Sequence, residues 1–568
     1  MNRLLKETME EYTPKFNKNI VEGAAKEVLK VAPDYIDEII VKTVNTMGAT
    51  GLEYHGWRKM TPKEEFNKLF TTSDKRIKYD FAVSDLYLVE LRFVYRGKPI
   101  PKYIYLPYAD KGNLMKISDT VYNITPILSN AVIAPDHKKV FVRLLKDKLS
   151  FNRHSTNFVL NKKRVPGQII YSNTYHVYDK NIVDNLGKVY PSVSLYLLGE
   201  MGFSAALKKY ANVTNFILTI DNADKFLDTH DVYESTRQKP IGYKESFYKG
   251  HDLKILIPKK EVTAENKQFL DNFIFGIINV FDVLPHSVND AVDLITSHDL
   301  PNELFYWRLA LGRIIFKNGY SVDKMILEMD THFSKLHNYM DNIIIQKLKD
   351  AGNDVETFFD LVALILGNFN TWLLNSKEYK SDINNRYIDL LYYILYDVVV
   401  GMNKALADIS NKSVKNELSE KGINTIFLSN VSPKSIYKIV KSSSMNLTVN
   451  VVSYSGDLMY PKATAIFKDQ SQGNSVKVSK GSQFPEESRT LRGYDLLYGS
   501  LLFLSKAAPS PRFRLNLYLD YNIYTGKLII PPKLKPTLDK LDRTLAGKEL
   551  HNDKILASTN EATIADVE

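Results

Sequence analysis

The sequence predicts an α+β fold in several domains, a basic antiparallel sheet region joined to a large helical region. Between Lys75 and Leu149 apolar residues recur with a period of two between turn signals, whereas from Glu265 to Leu406 they recur every three to four residues. At 568 residues the chain is also too long for one hydrophobic core, so two or three domains are expected.

Taken in order, residues 1–70 read as helical. Asn19–Met47 carries apolar residues at helical spacing, and Thr61-Pro62-Lys63-Glu64 is a helix start with Pro in the first turn. Leu86–Tyr95, Lys102–Leu106, Leu114–Leu128 and Val140–Leu149 then read as strands, separated by turns at Arg96-Gly97-Lys98-Pro99, Asp110-Lys111-Gly112-Asn113 and Ala134-Pro135-Asp136. Val165–Tyr178 reads as extended, Pro191–Tyr210 as a helix and Phe216–Ile220 as a short strand. The helical region follows as Glu265–Val283, Leu304–Phe316, Val322–Lys349, Val355–Leu374 and Asp382–Leu406. Strands and loops return from Asn424, including Ala463–Phe467, and the tail after Pro536 is polar.

The composition, 44% hydrophobic and 25% charged, is that of an ordinary folded protein. The absence of cysteine excludes a disulfide scaffold, cysteine nucleophiles and Cys-based zinc sites. With no secretory leader or membrane-spanning run, a soluble, cytoplasmic protein is expected. The net charge of +10 is concentrated in two blocks: Asp85–Val165 sums to about +9 and Lys462–Arg514 to about +5. Brought together they would line one basic channel; apart, they are two solvated faces. In the second block, Lys506 to Arg514 interleaves cations with prolines and an aromatic, a rigid loop suited to holding guanidinium groups against phosphate.

Catalytic constellations are missing. Asp221, Asp224, Asp228 and Asp231 with His230 are irregularly spaced and read as a solvated loop and helix start. His332 and His337 lie five apart, whereas a shared helix face needs three or four. Lys162-Lys163-Arg164, before a turn, reads as a solvated turn with phosphate contact as the alternative, and Trp57, Trp307 and Trp372 read as core or interface residues rather than base-stacking platforms. The sequence contains no phosphate-binding Gly-rich loop, no nucleophile elbow and no tight Asp-x-Asp group able to hold two magnesium ions.

In series, these segments resemble the N-terminal half of the β subunit of multisubunit DNA-directed RNA polymerases. Leu86–Phe93, Tyr105-Leu106-Pro107, Lys111-Gly112 and Ile117-Ser118-Asp119-Thr120 are similar to its early strands and turns. Lys188 to Gly202, with Leu197-Leu198-Gly199, resembles a helix of its lobe, and Asn384-Asn385-Arg386-Tyr387 is similar to a segment opening a long helix. Ser442 to Asn474 takes the place of the fork loop, and Tyr498-Gly499 with Pro509–Asn516 resembles a stretch beside the nucleic-acid path, without that motif's Glu and Gly.

The resemblance implies a protrusion-like unit over 1–155 with 376–430 returning to it, a lobe-like unit over 156–375, a fork-like region over 431–530 and a tail over 531–568. It also implies a non-catalytic polymerase subunit, as in the split-β enzymes of giant bacteriophages. Its partners would be the β C-terminal portion, β′ portions, DNA and RNA; no membrane and no cofactor on this chain are expected, with catalytic Mg2+ on a partner subunit. Arg92, Lys102, Lys111, Lys116 and Arg143 would border DNA, and Lys462, Lys468, Lys506, Arg512 and Arg514 the hybrid or template strand, as backbone contacts. The alternatives are a phage virion structural protein and a stand-alone single-stranded nucleic-acid-binding protein.

Overall fold

The computed structural model describes, with short interruptions, residues 24–71, 84–172, 192–235, 254–283, 302–376 and 385–431, and beyond them chiefly 449–451, 464–468, 499–501, 514–517 and 520–529. Helices and antiparallel sheets mix throughout, giving the α+β class.

The expected N-terminal helix is two helices, α1 (Ala24–Lys30) and α2 (Ala32–Val44), since Pro33 suits only the first turn of a new helix. β1 (Leu52–Lys59) follows, a strand within residues read as helical. Its pattern was hidden by a bulge between Tyr54 and Trp57, where Gly56 has φ +83°. α3 (Pro62–Thr71) opens on the expected signature: the Thr61 hydroxyl accepts from Glu64 N–H at 3.3 Å and the Glu64 carboxylate accepts from Thr61 N–H at 2.9 Å.

β2 (Leu86–Tyr95) and β3 (Lys98–Pro107) form a hairpin closed by Arg96 and Gly97, both at positive φ, and β1 pairs with β2. Counting outward from the Tyr95↔Lys98 pair, Pro99, Pro101 and Pro107 all take positions whose nitrogen points away from β2, so the ladder loses no donor. The long strand expected over Leu114–Leu128 is three, β4 (Leu114–Ile117), β5 (Thr120–Ile124) and β6 (Ile127–Asn130). Val140–Leu149 likewise divides between β8 (Lys139–Arg143) and β9 (Lys148–Leu160), with β7 (Ile133–Pro135) before them and β10 (Lys163–Ser172) after.

α4 (Ser194–Ala211), β11 (Ile217–Thr219), β12 (His230–Glu234) and β13 (Lys254–Pro258) come next. The helical region is α5 (Lys267–Val283), α6 (Leu304–Ile315), α7 (Val322–His337), α8 (Asn342–Asp350) and α9 (Phe358–Leu374). The single helix expected over Val322–Lys349 breaks where Asp341 caps α8 by accepting from Ile344 N–H at 2.9 Å. The helix expected from Asp382 begins only at α10 (Leu391–Lys415), because Arg386–Asp389 is a strand, β14; α11 (Glu420–Asn430) follows, where strands were expected. The last described strands are β15 (Val449–Val451), β16 (Thr464–Lys468), β17 (Gly499–Leu501), β18 (Arg514–Leu517), β19 (Asp520–Tyr521) and β20 (Leu528–Ile529).

Two large cores form among the described residues. One gathers buried residues of Val28–Ile117 with Leu391–Val431, so it is discontinuous in sequence. The other is continuous, from Val132 to Leu373, and packs β7–β10, β12 and β13 against α4–α9. The neck of this inserted unit is clasped by β6 and β14, antiparallel from Arg386↔Asn130 to Asp389↔Ile127, and Ala131 N–H donates to Asn385 O at 2.9 Å. Gly526 presses on the clasp from outside: Ile388 N–H donates to Gly526 O at 2.7 Å, and a Cβ on Gly526 would lie 1.9 Å from Ile388 O.

Polar contacts tie the cores together beside the neck. Lys42 on α2 pairs with Glu38 at 3.1 Å and donates to Met340 O, and Glu38 accepts from Asn342 N–H at 2.7 Å. Asp341 between them is 2% exposed. Burial pushes its carboxyl up to about 6, Glu38 adds to the rise, and the Ile344 N–H, Lys42 and Lys347 oppose it. With a folded pKa above the unfolded value near 3.8, the native state holds the proton more tightly, so stability falls as pH rises between these values. Asp341→Asn keeps the capping carbonyl and should match wild type below pH 4 while gaining about 1–3 kcal/mol at pH 7, measured by denaturant melts across pH.

Candidate nucleic-acid interface

Strand pairing joins the two basic blocks. β6, from the first block, pairs in parallel with β16, from the second, through Ile466↔Ile127 and Lys468↔Ser129. β16 pairs antiparallel with β18 through Ile466↔Arg514, giving a five-stranded sheet in the order β14-β6-β16-β18-β17. Lys468 lies two residues from Ile466, the register partner of Arg514, so the two cationic positions have the same parity in the ladder. β5, which precedes β6 in the chain, pairs with β15 and with β4 in a three-stranded antiparallel sheet.

Lys116 reaches this region on β4, half-buried, with its backbone clamped by Asp85, whose N–H donates to Lys116 O at 2.6 Å. The other first-block cations do not share a face. Arg92 pairs across the ladder with Pro101 and Lys102 with Leu91, so pleat alternation puts Arg92 and Lys102 on opposite sides of the β1–β3 sheet. Arg92 is exposed and its Nη2 donates to His55 O at 2.8 Å, closing over the β1 bulge. Lys102 is half-buried under α11: it donates to Asn424 and sits 5.0 Å from the Phe427 ring centroid. Arg143, 5% exposed within β8, is too deeply buried to meet a phosphate backbone. Lys111, Lys462, Lys506 and Arg512 lie outside the described residues.

The groups weighed for chemistry serve packing and local pairing. Asp224 pairs with Lys162 at 2.7 Å, and Asp231 accepts from Asn161 Nδ2 at 2.9 Å. Burial drives His332 down to about 4, so it is neutral among the Tyr196 and Phe333 rings, while His337 lies 3.0 Å from Glu200. Trp307 is fully buried, Trp372 packs on the second core, and Trp57 donates to Asp34 at 3.2 Å. No described helix is long and apolar enough to cross a membrane.

The match of the sequence to a known family makes the chain a subunit of an RNA polymerase, with other polymerase subunits as its partners. It belongs to the family described as non-virion RNA polymerase subunit, whose model matches residues 1–515. No curated protein matches it.

Burial lowers the Lys102 amine to about 8. Its folded pKa lies below the unfolded value near 10.5, so the unfolded state binds more protons between the two and stability rises with pH across that window. Lys102→Met should remove that rise, read as melting temperature between pH 7.5 and 10.5.

Proposed function

We propose that the chain is the N-terminal portion of a split β subunit in a multisubunit, bacteriophage-type DNA-directed RNA polymerase, working without a catalytic site of its own in the infected cell's cytoplasm. The observation that carries this reading is the nesting of cores. A first unit, an inserted second unit, a return to the first, and a strand-rich region stacked on the neck follow the protrusion, lobe, protrusion and fork order of the family the sequence resembles. The lobe-like motif also has a packing reason. Leu195, Leu197 and Leu198 are fully buried, and a Cβ on Gly199 would lie 2.6 Å from the Phe333 ring, so only glycine lets α4 approach α7.

In this role the chain holds phosphate backbones and leaves bond making to its partners. Lys468 and Arg514 on the joining sheet, with Arg92 and Lys116, are the cations that would border nucleic acid; Lys102 and Arg143 would act inside the fold. The catalytic magnesium would be held by carboxylates of a partner subunit. The family description gives the virion structural alternative no support.

Co-expression with the other polymerase subunits tests the reading. The chain should copurify in a stoichiometric complex, and Lys468→Ala with Arg514→Ala should lower the slope of log affinity for template against log salt by about two. Failure to assemble, or an unchanged slope in the assembled variant, would contradict it.

A further inference from the structure

The β9–β10 hairpin carries cations that the joining sheet does not account for. Its turn is Asn161-Lys162, both at positive φ, and it is fixed to the neighbouring strand: Asn161 N–H donates to Val232 O at 2.9 Å and Asn161 Oδ1 accepts from Val232 N–H at 2.8 Å. Lys162 is spent on Asp224 at 2.7 Å. Lys163, Arg164 and Arg153 are exposed, and no described residue forms an ion pair with them.

Register fixes how these groups are arranged. Arg164 pairs with Val159, six residues along β9 from Arg153, so the two arginines have the same parity about 20 Å apart. Ser155 and Asn157 fill the same-parity positions between them, and both are exposed. A cation, a hydroxyl, an amide and a cation therefore run along the arm at two-residue steps of about 7 Å, on the scale of successive phosphates of one nucleic-acid strand. The acidic register neighbour of this row is Glu234, opposite Val159, and it is itself opposite Lys254 across β13. An arm held by backbone hydrogen bonds presents these donors without a backbone ordering cost.

We propose that Arg153, Ser155, Asn157 and Arg164 form a second phosphodiester-binding track, on the inserted unit and apart from the joining sheet. It deepens the polymerase reading by adding a place where the backbone of DNA or RNA is held. The donors read charge and spacing and carry no base specificity, so binding depends on salt and not on sequence.

The assembled polymerase carrying Arg153→Ala and Arg164→Ala provides the test, with a single-stranded oligonucleotide and a duplex of the same length as probes. The variant should show a salt slope lower by about two for at least one probe, and the probe affected identifies the strand form that runs along the arm. Lys162→Ala, which removes a cation already engaged within the chain, should leave the slope unchanged. Wild-type slopes in the double variant for both probes would overturn the track while leaving the Lys468 and Arg514 result untouched. Loss of a polymerase subunit from the double variant, with an unchanged slope, would assign the arm to an acidic protein surface and equally overturn it. Melting of the isolated variant within a degree or two of wild type excludes misfolding as the cause, since both side chains are exposed and unpaired among the described residues.

Discussion

The structure depends on the four-residue clasp between β6 and β14. These strands are separated by more than 250 residues, yet they pair in full register, and the whole second core hangs between them. Closing so long a loop has an entropic cost that grows only slowly with length, so the insertion is tolerated once its ends are held. Holding them is the clasp's task, because the discontinuous core needs Leu391–Val431 delivered back beside Val28–Ile117. The other edge of β6 pairs with β16, so the clasp and the joining sheet share that strand.

The neck is polar where an ordinary core would be apolar. Glu38, Lys42, Asp341 and Lys347 meet there, and the Tyr387 hydroxyl donates to Lys347 O at 3.3 Å. Buried polar groups add little net stability but penalise misaligned packing, since a shift of one core against the other would leave carbonyls and carboxylates unpaired. Lys527, donating to Asp350 O, extends this logic to the last strands. The neck therefore sets the orientation of the two units, which the proposed nucleic-acid path would require.

Much of the fold was legible because periodicity reports burial. The helices α5, α6 and α9 fall within a few residues of their apolar repeats, and the β2–β3 hairpin follows its Arg96-Gly97 turn. What failed had local physical causes. β1 carries a bulge that breaks alternation, β14 is a strand only because β6 pairs with it, and α11 is too short for its apolar repeat to stand out. The candidate site was less legible. Charge counts located two basic blocks but could not say that alternation puts Arg92 and Lys102 on opposite faces, or that Arg143 is inside. They also could not separate Lys162, which is paired, from its exposed neighbours Lys163 and Arg164.

The central claim is that a clasped neck holds the joining sheet against nucleic acid inside a larger polymerase. A cryo-electron microscopy map of the assembled enzyme on a template tests it most directly. The account expects continuous nucleic-acid density along β16 and β18, with the Val132–Leu373 unit projecting from the β6–β14 clasp beside it. A map in which that sheet faces bulk solvent, with the nucleic acid running past a different surface of the chain, would contradict it.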